Sequence, residues 1–157
     1  EMAQVCADSG ADIVLMHMRG EPRTMQRDTS YEDLLGEVLE YLAARVKIAV
    51  QGGVSPTCIT VDPGLGFGKA WVDNARIIAG LKHFRSLGVP VLVGASRKRF
   101  IGALTGQTQP SDRVFGSVGA ALAATEAGAD ILRVHDVAAT REALAVFLPC
   151  RHVESPL

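Results

Sequence analysis

Four short apolar runs alternate along this chain with longer stretches in which apolar residues return every three or four positions. The runs are Asp12 to Met18, Cys58 to Asp62, Val89 to Val93 and Asp130 to Asp136. A run that is apolar throughout belongs to a strand buried on both faces, and a return every three or four residues marks one face of a helix. The chain therefore reads as one helix followed by a strand and a helix, four times over. Parallel strands require such crossovers, in the right-handed sense, so the pattern predicts an α/β fold with a parallel sheet. At 157 residues the chain can bury one substantial core, and no linker, low-complexity segment or close internal repeat interrupts it. One domain over 1–157, with no second, is the expectation.

Met2 to Gly10 reads as the last turns of a helix, with Gly10 just past its end. Ser30, with Asp33 three residues on, opens a long helix that carries Leu34, Val38, Leu42 and Val46 and closes at Gly52-Gly53. Asp73 and Asn74 can cap a helix with Ile77, Ile78, Leu81 and Phe84, which stops at Gly88. A short helical stretch, Phe100 to Leu104, precedes a polar loop from Gly106 to Asp112. A helix with Val114, Val118 and Leu122 then runs to Gly128. Ala138 to Leu148 is the last helix, and the tail beyond Pro149 is expected to be loose.

The chemistry gathers at the ends of the strands. In parallel α/β folds ligands bind at the carboxyl ends, and here every strand ends in reactive groups. They are His17 and Arg19, then Asp62, then Ser96 with Arg97 and Lys98, then Arg133, His135 and Asp136. Asp62 opens Asp62-Pro63-Gly64-Leu65-Gly66-Phe67-Gly68-Lys69, in which proline ends the strand and three glycines let the backbone approach a ligand closely. A βα turn with a capping Asp is the plainer alternative for this loop. Arg133 lies within a buried-type run, with Ile131 and His135 on its face by strand alternation. A buried guanidinium must meet a carboxylate, Asp62 or Asp136, or a ligand anion. Beside a histidine, its fork suits phosphate.

Other features are quieter. His17 alone reads as a hydrogen-bonded structural histidine, Met16 and Met18 as packing, and the run Arg97-Lys98-Arg99 as a solvated loop. His83 and His152 fall on a helix and in the tail and receive no role. No His and carboxylate cluster has metal-ligand spacing. The net charge of −1, with signs interspersed, gives no reason to expect nucleic acid or an anionic membrane as partner. Three scattered cysteines suggest buried or incidental thiols in a reducing compartment, the cytoplasm, and no apolar run approaches a membrane span. Glu1-Met2-Ala3 reads as the middle of something, a piece of a longer protein.

Four segments together carry a resemblance. Val14-Leu15-Met16-His17-Met18, the Asp62 to Lys69 loop, Gly94-Ala95-Ser96-Arg97-Lys98-Arg99-Phe100-Ile101-Gly102, and Arg133-Val134-His135-Asp136-Val137 resemble dihydropteroate synthase in order and spacing. The likeness runs from Met2 to about Phe147. It implies a TIM (β/α)₈ barrel of folate biosynthesis that joins p-aminobenzoate to 6-hydroxymethyl-7,8-dihydropterin pyrophosphate, giving 7,8-dihydropteroate and pyrophosphate. This chain would be the C-terminal half, strands five to eight: an incomplete barrel of about four βα units with helices outside and both edges open. Alone it is expected to be inactive.

The resemblance also implies roles. Asp62 and Lys98 would be catalytic, Asp62 binding the pterin edge and Lys98 standing near the site of attack. Met16 would pack on the pterin face and Phe67 against the second substrate. Ser96, Arg133 and His135 would hold the pyrophosphate. Mg2+ would be bound mainly through the pyrophosphate and the N-terminal half, with no protein ligand in this half, and the full-length enzyme would be a homodimer. Arg99 stands where many relatives have a small hydroxyl residue; it would meet the benzoate carboxylate or face solvent. Two other readings stay open. A methyltetrahydrofolate:corrinoid methyltransferase would share the pterin logic without needing a pyrophosphate receiver. A non-catalytic half-barrel would only bind pterin or phosphate.

Overall fold

The computed structural model describes residues 2–151; His152 and the end of the expected loose tail lie outside them. The elements follow the expected order: α1 (Met2–Ser9), β1 (Ile13–Met16), α2 (Leu34–Gln51), β2 (Ile59–Asp62), α3 (Trp71–Ala79), β3 (Leu92–Val93), α4 (Arg99–Thr105), α5 (Val114–Glu126), β4 (Ile131–Leu132) and α6 (Val137–Arg151). β1 pairs with β2 in parallel, from Ile13 opposite Ile59 to Met16 opposite Asp62. β3 pairs with β4, also in parallel, and a bridge between Val61 and Val91 joins the two pairs. Spatial order thus follows chain order.

The core lies between the middle strands and the helices packed on them. Val61 and Val91 of the sheet side meet Val38 and Leu42 of α2, Ile77 of α3, and Phe84, all of them 0% exposed. Along α2 the buried residues are Leu34, Val38, Leu42 and then Ala49. A four-residue repeat drifts on a helix of 3.6 residues per turn, so Val46 slips to the flank and Ala49 takes over. The sheet margins are more open: Val14 on β1 is 49% exposed and Ile131 on β4 is 41%.

Several expectations are corrected by local contacts. Asp33, not Ser30, caps α2: its carboxylate accepts from Gly36 N–H at 3.1 Å, while Glu37 accepts from Asp33 N–H at 3.1 Å. Ser30 instead gives both its N–H and its hydroxyl to Asp28. Asp73 and Asn74 do not cap α3. They sit inside its first turn, after an Ala70 cap with no side-chain bond, and both are buried. α3 stops at Gly80, where Leu35 of α2 occupies the space a side chain would need, and Leu81–Leu87 continues as a tighter 3₁₀ coil ended by Gly88. α6 runs through Pro149 to Arg151, and Arg151 pairs with Glu126 of α5 at 2.7 Å. That tether holds Arg151, the last described residue, on α5.

The fourth strand differs most. It is regular only over Ile131–Leu132, so Arg133, His135 and Asp136 lie past it and do not alternate on strand faces. Nor is the Arg133 side chain buried; it is 55% exposed. The reason is position: among the described residues β4 is a sheet margin, paired on its β3 side alone, and the guanidinium reaches over the open end.

The cap assignment is testable by urea unfolding. Asp33→Ala should lower stability by about 1 kcal/mol, the usual loss for a side-chain cap. Ser30→Ala should stay within about 0.5 kcal/mol of the parent. The reverse order would restore Ser30 as the cap.

Candidate active site

β2 delivers Asp62 to the carboxyl end of the sheet with 1% of its surface exposed. A carboxylate so deep is tolerable only if both oxygens are satisfied. One accepts from Gly64 N–H at 2.8 Å and the other from Arg133 Nη2 at 3.0 Å. The bond to Gly64 needs a left-handed turn there (φ 72°), and the space beside that Cα is filled by the His17 carbonyl, so only glycine fits. Arg133 reaches Asp62 across Gly94, where a Cβ would lie 2.8 Å from Nη2. Met16, the register partner of Asp62, ends β1 alongside it and is half-buried.

The two carboxylates open to Arg133 are thereby distinguished. Asp136 belongs to Arg97, which grips it with Nη2 at 2.6 Å and Nε at 3.1 Å. Those bonds hold the Asp136 carboxyl below the usual carboxylate range. Arg97 has φ 59°, a left-handed backbone rare outside glycine. It is fixed there from three sides. Its N–H donates to Ser117 Oγ at 2.9 Å, its carbonyl accepts from the buried Arg113 at 2.9 Å, and its guanidinium holds Asp136. Arg113 also donates to the carbonyls of Gln107 and Thr108. The basic triplet is thus no uniform solvated loop: Arg97 is a brace, Lys98 turns inward, and Arg99 is exposed.

Each turn of the glycine loop has its own partner. Gly66 N–H donates to Asn74 at 2.6 Å, Gly66 O accepts from Gln26 at 2.8 Å, and Gly68 O accepts from the Tyr31 hydroxyl at 2.8 Å. The Phe67 ring lies beneath Lys98, whose ammonium is 4.2 Å from the ring centre and whose stem rests on Gly66. Burial pushes the Lys98 ammonium below its ordinary value, with Asp62 opposing the shift and Arg133 adding to it.

His17 is buried and structural, as read from the sequence. Its ring stands edge-on to Tyr41 at 4.9 Å, and its Nδ1 lies 2.8 Å from Lys69 Nζ. An ammonium can only donate, so Nδ1 accepts and His17 is the neutral Nε2–H tautomer. Burial first, and then Lys69, lower the His17 value to about 4. Burial likewise lowers Lys69 to about 7, against the pull of Asp62 and Asp73.

Two cavities meet at Lys98. One, of about 260 Å³, is lined by Gly94, Ser96, Lys98, Arg133 and His135. Ser96 and His135 are joined twice in it: His135 N–H donates to Ser96 Oγ at 3.2 Å, and Nδ1 lies 3.0 Å from the same oxygen. The other, of about 320 Å³, has Gln26, Lys69, Trp71, Asn74, Lys98 and Arg99 among its walls. The first offers cations and a hydroxyl to an anion, and the second a polar slot beside an aromatic loop. Among the described residues no three His, Cys, Asp or Glu side chains gather to hold a metal ion. The three cysteines are free; Cys6 and Cys58 are half-buried and Cys150 is exposed.

Sequence reading brought Met16, Asp62, Phe67, Ser96, Lys98, Arg133 and His135 to one end of the sheet, and the structure gathers them there. It missed Asn74, Gln26, Tyr31 and the partnership of Lys69 with His17. The cation directly after three glycines was the one signal for Lys69, and nothing in the sequence points to a partner 52 residues away.

The chain matches the family described as pterin binding enzyme over residues 1–135. It is 45% identical over 139 residues to a dihydropteroate synthase of Synechocystis sp., covering 88% of this chain and 48% of that protein. Its structure is similar to that of dihydropteroate synthase from Stenotrophomonas maltophilia with active site-bound imidazole: TM-score 0.92, 44% identity, 98% of this chain and 58% of that one. It is also similar to the Xanthomonas albilineans dihydropteroate synthase in complex with 7,8-dihydropteroate: TM-score 0.88, 44% identity, 96% of this chain and 55% of that one. The chain spans about half the length of the curated relatives it matches.

The buried imidazole makes a pH prediction. Its folded value of about 4 lies below the ordinary 6.5, so proton uptake favours the unfolded chain. The stability it contributes is complete above about pH 6.5 and is lost as pH falls toward 4. Urea midpoints should drop across that window. His17→Gln, whose side chain can still accept from Lys69, should flatten the drop; an unchanged slope would mean that another group carries it.

Proposed function

The chain belongs to the pterin binding enzyme family, and on that footing we propose that it is the C-terminal half of a dihydropteroate synthase. The observation that carries this reading is Arg133, whose guanidinium joins the buried Asp62 to the Ser96–His135 cavity. A carboxylate that binds a pterin edge and a cationic pocket that binds pyrophosphate are thereby adjacent, as a pterin methyl pyrophosphate ester requires. The strand order β1-β2-β3-β4 supports strands five to eight of a TIM barrel, an incomplete barrel of about four βα units within one domain.

In this reading Asp62 accepts from the pterin amino group and the neighbouring ring N–H, and Met16 packs on the ring face. Arg133, Ser96, His135 and Lys98 take the pyrophosphate. The C–O bond to the pterin methylene breaks, its electron pair leaving with pyrophosphate, and the arylamine nitrogen of p-aminobenzoate bonds to the methylene. The arylammonium then gives up its proton to solvent. Charge develops on the leaving oxygen, where the cations already stand; such preorganised donors are effective because they need no rearrangement at the moment of reaction. Phe67 flanks the p-aminobenzoate, and Arg99, on the wall of the second cavity, meets its carboxylate. Magnesium travels mainly with the pyrophosphate and the other half. Cytoplasmic location and a full-length homodimer belong to the same reading. An apolar groove of about 360 Å³ between α3, α4 and α5, beside a 90% exposed Phe115, supports the dimer.

Half a barrel lacks half of the loops that build a site, so residues 1–157 alone should form no dihydropteroate from both substrates and magnesium. Activity should return when the N-terminal half of a dihydropteroate synthase is added. Asp62→Asn should weaken pterin binding by roughly a hundredfold or more, since it presents a donor to a donor. Equal pterin affinity of parent and mutant in calorimetry would remove Asp62 from the site. Inactivity even with the complementing half would favour a non-catalytic binding fragment.

A further inference from the structure

Three successive carbonyls of the glycine loop, at Gly66, Phe67 and Gly68, each accept from a side chain, and the one at Phe67 is unlike the other two. Gln26 serves Gly66 O and Tyr31 serves Gly68 O, both from the β1–α2 connection. Phe67 O accepts at 3.1 Å from Lys69, a residue of the loop's own end whose side chain folds back beneath it. The same ammonium donates to His17 Nδ1 at 2.8 Å, and His17 is anchored at the end of β1 by its N–H to Asp62 O at 3.0 Å. Lys69 is only 3% exposed, although it lines the second cavity. A lysine is seldom held so deeply without a carboxylate bonded to it, and no side-chain bond to one accompanies it here among the described residues.

We propose that Lys69 is a positioning residue for the candidate site, clamping the Phe67 carbonyl to the His17 imidazole and so holding the Phe67 ring beneath Lys98. The clamp has a direction. Phe67 is only half-buried, whereas His17 is buried, with its ring 4.9 Å from that of Tyr41 and 6.3 Å from that of Tyr31. Freeing the carbonyl therefore moves the phenylalanine, not the histidine. Charge-assisted hydrogen bonds are roughly twice as strong as neutral ones, so the clamp is tightest while Lys69 is an ammonium and slackens as it loses its proton.

The groups facing it are Asp62, Asp73, Lys98 and His17, and Arg19 also acts on His17. Asp73 is held by Arg76 at 3.3 Å. His17 and Tyr31, moved to about 4 and about 12, do not change charge near neutrality, whereas burial brings Lys69 down to about 7. The slackening should accordingly be read between pH 6 and 8.

The inference rests on the proposed function only for what Phe67 touches; the clamp itself is tested without ligand. In the 157-residue chain, the Lys69 13Cε and 15Nζ resonances should titrate within about a unit of 7, and the Phe67 amide and ring signals should move with the same midpoint. Trp71, the single tryptophan and a wall of the same cavity, gives a parallel fluorescence readout. Lys69→Met should abolish the Phe67 transition, shift its ring signals and leave the methyl signals of Val61 and Ile77 in place. With ligands added, the mutant should bind p-aminobenzoate about tenfold more weakly and inorganic pyrophosphate as before. Phe67 signals that ignore both the Lys69 titration and its replacement would overturn the clamp. A working clamp in a chain that binds no p-aminobenzoate even when complemented with the N-terminal half would instead overturn the function assigned to the loop.

Discussion

A carboxylate with 1% of its surface exposed sets the terms for everything at this end of the molecule. Removing Asp62 from water is costly unless its charge is met by donors in the right places. One donor is a backbone N–H two residues on, which forces the turn at Gly64 and folds the loop down onto β1. The other is Arg133, which must reach across the end of β3 and finds room because residue 94 has no side chain. Gly64 and Gly94 are thus consequences of a single buried charge, whatever ligand the charge also serves.

The same charge organises its neighbours. Lys98 sits within the field of Asp62 and is opposed by Arg133, while its stem and head lie over Gly66 and Phe67. Because Lys98 borders both cavities, a ligand group in one changes the electrostatics of the other. Arg97 and Arg113 do a different task at the same strand end: they hold a left-handed turn that aims Lys98 inward while keeping Asp136 away from Arg133. Strain of this kind persists where the surroundings over-determine it, as three separate contacts do here.

The order of elements was legible because it follows from periodicity, and the strand ends were legible because charge in a buried-type run demands an explanation. Alternation along the fourth strand was misleading: it presumes a strand that persists, and β4 ends at Leu132. Capping was misassigned at Ser30 and at Asp73 and Asn74 for one reason. A hydroxyl, amide or carboxylate near a helix start has several possible partners, here Asp28, Gly66 and Arg76, and periodicity does not choose among them. Lys69 and His17 were unreadable as a pair, because a side chain that folds back beneath its own loop leaves no periodic trace. The choice between Asp62 and Asp136 for Arg133 was likewise open until Arg97 was seen to take Asp136.

The dependence on Asp62 is most directly measured by a double-mutant cycle in urea unfolding, with Asp62→Asn, Arg133→Met and the two together. The single changes should each destabilise the chain, and the double mutant should recover about 1 kcal/mol or more of their sum, the coupling expected when a buried charge loses its partner. Effects that add within about 0.5 kcal/mol would show that the two groups are merely neighbours, and that the strand ends are held together by something other than this pair.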